Sequence, residues 1–223
     1  QVFALAALAS SISMAFAAEV TELPTTVTTA ARLPQPEREV VGDISIIDSA
    51  ELKAEHGSSL LDVLARQPGV QISNNGGAGK SGNLFLRGAN ANQTVVLING
   101  IRYGSATLGS AALQHIPIEQ IDRIEILRGP ASALYGADAI GGVIQIFTRT
   151  GAPGVTANAF AGYGTYNTWQ ANAGLSGGNA QWRYRIEGSH EASDGFSAQK
   201  DASNRDADKD GYRNSGGGVS LSF

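Results

Sequence analysis

Arg128-Gly129-Pro130-Ala131-Ser132-Ala133-Leu134-Tyr135-Gly136, closed by Ala139-Ile140-Gly141-Gly142-Val143-Ile144, is the stretch whose reading decides the fold. Just upstream, Arg123, Ile124, Glu125, Ile126 and Leu127 alternate as a strand does. Gly129-Pro130 breaks that strand, and Ser132 to Tyr135 leaves room for one helical turn. Gly136 and the Gly141-Gly142 pair then let the backbone turn tightly into an apolar strand over 143–147. Taken alone, the run describes a glycine-rich β-turn-α-β unit that a soluble protein also carries. Its neighbours decide between the two.

Toward the N-terminus the texture is that of a small mixed domain. The pattern predicts a strand over 44–47, then a helix opened by Asp48 and Glu51 and ending at Gly57. A second helix starts at Ser59 and Asp62, buries Leu60, Leu61, Val63 and Leu64, and stops before Pro68-Gly69. Residues 70–73, 84–86 and 94–98 read as further strands, and Asn99-Gly100 between Ile98 and Ile101 is a strong two-residue hairpin signal. The expectation is an α+β domain over 43–152, a mixed sheet of about four to six strands with short helices.

Past Pro153-Gly154 the period becomes two. Trp169, Ala171, Ala173 and Leu175 alternate with Gln170, Asn172, Gly174 and Ser176, and Trp182, Tyr184 and Ile186 alternate with Arg183, Arg185 and Glu187. Val219, Leu221 and Phe223 do the same with Ser220 and Ser222. Strands of about ten residues with one apolar and one polar face are what a transmembrane antiparallel β-barrel requires, with aromatic girdles at its rims. A soluble sandwich also alternates, but it rarely places residues such as Trp169 and Trp182 on its outer face. About four strands fit into 153–223, against about eight in the smallest bacterial barrels. Plugged transporters have about 22. The barrel is therefore expected to be truncated in this sequence.

Residues 1–17 are apolar up to Ala15-Phe16-Ala17 and read as a partial signal peptide, which places the mature chain outside the cytoplasm. Residues 18–42 are Thr/Pro-rich, with Pro24, Pro34 and Pro36, and predict a flexible segment. There is no cysteine, so stability must come from a core or a closed sheet. A formal charge of −4 gives no support to nucleic-acid binding. Among His56, His115 and His190, no spacing suggests a metal or a catalytic triad, so no enzyme is expected.

The run at 128–144 resembles the plug-domain signature of TonB-dependent outer-membrane receptors, gated transporters of Gram-negative bacteria. Val70-x-Ile72-x-x-Asn75-Gly76-Gly77, Leu86-Arg87-Gly88-x-Asn90-Ala91 and Val95-Val96-Leu97-Ile98-Asn99-Gly100-Ile101-Arg102 narrow the likeness to the cobalamin-receptor family, over 23–223. The resemblance implies a TonB box at Leu23, Pro24, Thr25, Thr26, Val27, Thr28, Thr29 and Ala30. Such a segment is captured by TonB, with its inner-membrane energising complex, through strand addition. It also implies an outer-membrane location in contact with lipid, and cobalamin held on apical plug loops. Candidates there are Asn75, Lys80, Ser81, Asn90, Asn92, Tyr103, Ser105 and Leu108. Lys80 and Gly82 depart from the larger uncharged residues expected, and Gln145 from the Asn common in its strand. A receptor for a siderophore, haem or another metal chelate stays open, as does a calcium-stabilised adhesion or scaffold protein. Arg87, Arg128 and Arg149, with Glu125, are expected to meet the barrel wall.

Two further motifs need weighing. Asn74-Asn75-Gly76-Gly77-Ala78-Gly79-Lys80-Ser81 is a near-miss for a phosphate-binding loop. It lacks the first glycine and leads into the strand 84–86 instead of a helix, so nucleotide binding is not expected. Asp206-Ala207-Asp208-Lys209-Asp210-Gly211 starts like an EF-hand loop but has Gly217 where the closing Glu belongs. Within the family resemblance, Asp208 and Asp210, helped by Asp206, Asp194 and Asp201, are the expected calcium ligands on an extracellular loop. A solvated acidic loop is the alternative.

Overall fold

A computed structural model of the chain describes residues 25–55, 58–105, 107–197 and 209–223. Two short strands, β1 (Thr26–Val27) and β2 (Gln35–Pro36), pair antiparallel at the front. An α+β domain follows: β3 (Asp43–Ile47), α1 (Ser49–Ala54), α2 (Leu60–Ala65), β4 (Val70–Asn74), β5 (Gly82–Leu86), β6 (Thr94–Ile98), β7 (Ile101–Arg102), β8 (Ile121–Arg128), α3 (Ser132–Tyr135) and β9 (Gly142–Thr148). Four longer strands complete the chain: β10 (Gly154–Gly164), β11 (Thr168–Gly178), β12 (Arg183–Ser193) and β13 (Tyr212–Ser222).

Local chemistry starts each element. Asp48 accepts the backbone N–H groups of Ala50 and Glu51, both at 2.8 Å, and opens α1. Ser59 and Asp62 form a reciprocal capping box at the start of α2. Asn99 and Gly100 have φ of 50° and 83°, the left-handed pair that a tight hairpin between β6 and β7 needs.

The main sheet has five strands in the order β3-β8-β9-β6-β7. β6 and β9 run parallel, and the other neighbours are antiparallel. β4 and β5 form a separate hairpin. One face of the sheet carries Ile124, Ile126, Ile144 and Ile146 into a core with Leu52, Leu60, Leu64 and Leu86. The other face carries a smaller cluster built on Val95, Leu97, Leu127 and Val143, with Ala30 and Tyr135 packed against it.

That second face receives part of the segment expected to be flexible: residues 27–30 pack onto it, with Val27 and Thr29 fully buried, while 32–34, 37–39 and 41–42 are exposed. The physical reason is polar: the segment has few apolar groups, but the Thr28 and Thr29 N–H groups and the Thr29 hydroxyl share one buried acceptor, Glu125 on β8.

The last four strands form one antiparallel sheet in sequence order, each 11 residues long. Strands of that length span a bilayer when tilted. The register lines up Ala157, Leu175, Ile186 and Val219 in one row across the sheet. Leu175, Ile186, Val219 and Leu221 are exposed on this outer face, whereas Ser176 and Arg185 are buried on the inner one. Tyr163 pairs with Trp169 at one rim, and Trp182 packs at a tilt against Phe223, ring centroids 4.5 Å apart, at the other. An apolar band between two aromatic rims is the signature of a lipid-facing sheet.

Candidate functional site

Glu125 lies near the middle of β8. The strand's alternation sends Ile124 and Ile126 into the main core and Glu125 to the opposite face, beside Gln145 of β9. The Glu125 side chain has no exposed surface. Its Oε2 accepts the Thr28 N–H at 2.9 Å, the Thr29 N–H at 2.8 Å and the Thr29 hydroxyl at 2.6 Å. Its Oε1 accepts Arg123 Nε at 3.0 Å, and that guanidinium lies over the Phe147 ring at 3.8 Å. A buried carboxylate is tolerable only with such a full set of donors.

Around this centre, the Thr29 hydroxyl also lies 3.1 Å from the Gln145 carboxamide oxygen. Tyr135 donates its hydroxyl to the Thr29 carbonyl at 2.8 Å. Burial pushes the Tyr135 phenol above its ordinary pKa, Arg32 opposes the shift and Glu125 adds to it, so the donor keeps its proton at neutral pH. A cleft of about 370 Å³ borders the segment, lined by Thr28, Arg32, Leu97, Tyr135, Gln145 and Phe147.

A second junction joins the α+β domain to the long-stranded sheet. Lys80, in the β4–β5 loop, donates Nζ to Asp210 Oδ1 at 2.8 Å. Gly77 of the same loop approaches the Phe196 ring, and Gly79 lies against Tyr212 so closely that any Cβ would overlap the ring. Tyr212 stacks on His115, with ring centroids 6.4 Å apart, and donates to the Gln114 carbonyl at 3.4 Å. The cleft enclosed here measures about 420 Å³ and is lined by Asn74, Lys80, Gln114, Gln170, Glu191 and Tyr212 among others. Polar donors, carboxylates and the two rings of Phe196 and Tyr212 can hold a large polar ligand by its edges.

Residues 36–143 match the family described as the TonB-dependent receptor plug domain. They are a TonB-dependent receptor plug. The vitamin B12 transporter BtuB of Photobacterium profundum is 40% identical over 91% of this chain and 33% of its own length. The BtuB of Vibrio vulnificus (strain CMCP6) is 43% identical over 66% of this chain and 24% of its own. Among solved structures, P. aeruginosa FpvA bound to heterologous pyoverdines superposes with a TM-score of 0.69 at 22% identity, over 78% of this chain and 23% of that one. The chain spans at most about a third of the length of the curated relatives it matches. Together with the apolar outer face of its sheet, these likenesses make it an outer-membrane protein whose plug is followed by the first strands of a barrel.

Arg87, Arg128 and Arg149 all find partners within the plug, and Arg128 is buried there. Arg87 pairs with Asp43, and Arg128 donates Nε to the Pro68 carbonyl at 2.7 Å and Nη1 to Ser45 Oγ at 2.7 Å and Asp43 Oδ1 at 3.2 Å. Arg149 donates Nε to the Ile121 carbonyl at 3.0 Å. Arg87, Arg128, Arg149 and Glu125, expected at the barrel wall, make these contacts within the plug among the described residues. Antiparallel pairing sets Asp43 opposite Arg128 and brings a carboxylate of the plug beside it.

The ligand candidates fall on two loop groups. Lys80 and its neighbours Asn75 and Ser81 belong to the β4–β5 loop at the junction cleft. Asn92 lies against Gly109, in the loop that Ser105 closes by accepting the Thr107 and Leu108 N–H groups. Asn90 anchors the turn before β6 through Gln93, Tyr103 donates to the Ala112 carbonyl, and Leu108 is exposed.

Of the expected calcium ligands, Asp201, Asp206 and Asp208 lie outside the described residues, as do Leu23, Pro24 and residues 1–17. Asp194 and Asp210 are described, and the Asp210 carboxylate is engaged by Lys80. No three His, Cys, Asp or Glu come together among the described residues. Gln145 and Tyr135 are contributors to which the sequence reading gave no role, because only folding brings them beside Thr29.

Proposed function

We propose that the chain is part of an outer-membrane receptor that takes cobalamin across the outer membrane in a TonB-dependent cycle. The likeness of nine-tenths of the chain to a vitamin B12 transporter carries this reading, and the polar cleft between plug loop and barrel loop supports it. Cobalamin would bind at the outer face against the loops that carry Asn75, Lys80 and Ser81 and those that carry Asn90, Asn92, Tyr103, Ser105 and Leu108. The TonB box, which ends at Ala30, would then be handed to TonB as an added strand. The chemistry is binding and displacement, with no covalent step. In the same reading Asp208 and Asp210, helped by Asp206 and Asp194, hold calcium and order the extracellular loop.

A metal-chelate ligand is the second reading, favoured by the Lys80 ammonium at the cleft, which suits an acidic chelate better than a neutral corrin face.

Val27→Pro tests the transport step. Proline removes the Val27 N–H from any added strand, so capture weakens by roughly ten-fold or more. Cells that carry the full-length receptor should lose cobalamin uptake and keep cobalamin binding at the surface. Unchanged uptake would overturn the placement of the TonB box.

A further inference from the structure

We infer that Glu125 is the clasp that holds the TonB-box segment against the plug, and that release of the segment runs through this one carboxylate. The inference rests on the proposed TonB-dependent cycle but is tested without ligand or partner. Docking of the segment is sparse in apolar contact: Val27 is buried and Ala30 packs against the smaller cluster, while Thr25 and Thr26 stay exposed. What fixes it is polar and concentrated. Three donors of the segment meet a single oxygen, Glu125 Oε2, and all three come from Thr28 and Thr29. The other oxygen is tied to the sheet through Arg123. One oxygen thus faces the plug and one faces the segment, and the bonds of the second are lost together when the segment leaves.

Position strengthens the argument. Thr28 and Thr29 immediately follow β1, whose backbone already pairs with β2. A partner strand that adds along the box competes with that small ladder and then meets the clasp. A clasp of charged hydrogen bonds opens cooperatively, since bonds to an ionised acceptor are the strong ones and share one acceptor atom here. Tyr135, donating to the Thr29 carbonyl, closes the other side of the same residue.

The test uses thiol reactivity in the full-length receptor in outer membranes. These 223 residues contain no cysteine, so Val27→Cys, in a receptor cleared of any cysteine elsewhere, gives a single buried reporter. Docked, that thiol is shielded. In an added Glu125→Gln or Thr29→Val background, its labelling rate should rise roughly ten-fold or more, as expected for losing a charged hydrogen bond. Val63→Cys, buried in the main core, should stay protected in the same backgrounds. If Val63→Cys also becomes reactive in Glu125→Gln, Thr29→Val, which removes only one hydroxyl, decides the question. Unchanged Val27→Cys labelling in both backgrounds, with Val63→Cys protected, would overturn the clasp whatever ligand the receptor proves to carry.

Discussion

Gly142→Ala is expected to prevent the plug from assembling. Gly142 opens β9, the strand between β8 and β6, and has φ of +145°, which side-chain-bearing residues rarely adopt. A Cβ there would stand 2.2 Å from the Leu127 carbonyl oxygen and 2.6 Å from Leu86 Cδ2. The first neighbour is backbone in a paired strand, so it has nowhere to move. Backbone strain of about 1–3 kcal/mol adds to about 1–3 kcal/mol of overpacking. A sum of that size is a large fraction of a typical domain's stability. The contrast is Gly100→Ala: φ is +83°, but no atom lies within 4 Å of its Cβ, so only the backbone term remains. Protease resistance of the plug in outer membranes should collapse for Gly142→Ala and fall modestly for Gly100→Ala. Equal behaviour of the two variants would contradict the packing described for β8 and β9.

Ile186→Arg is expected to block stable insertion of the barrel strands. Ile186 is exposed on the outer face, between Leu175 on β11 and Val219 on β13. An arginine in the middle of a lipid-facing strand costs about 2–4 kcal/mol, whereas near the interface the cost falls to about 0–1 kcal/mol. Ser215→Arg supplies the comparison, because Ser215 shares the outer face with Arg213, one row nearer the rim that carries Trp169. Folding titrations of the full-length receptor in lipid vesicles should show a large loss for Ile186→Arg and little for Ser215→Arg. A small effect at Ile186 would mean that this face meets protein and not lipid.

Much of the fold was legible because its signals are local. The Asn99-Gly100 turn, the helix start at Ser59 and Asp62, the single helical turn at 132–135 and the alternation after Gly154 all stand in the structure where the pattern put them. The docking of 27–30 was not legible, because its partner is Glu125, some 96 residues away, and a Thr-rich stretch reads the same whether its hydroxyls face water or a buried carboxylate. The contact of Arg128 was hidden for a related reason, since it looks like a surface charge until strand register brings Asp43 beside it. At the junction cleft, the sequence offered Lys80 and Asp210 separately, as ligand contact and calcium ligand, and folding joins them into one pair. That pair is partly exposed and is worth about 1 kcal/mol or less to stability, so its weight is in placing the two loops.

Equilibrium binding of cobalamin to outer membranes carrying the full-length receptor, with and without a calcium chelator, tests the central claim most directly. The account predicts saturable cobalamin binding that weakens when calcium is removed and that an acidic ferric chelate does not displace. Absence of cobalamin binding in both conditions, with saturable binding of the ferric chelate, would contradict it.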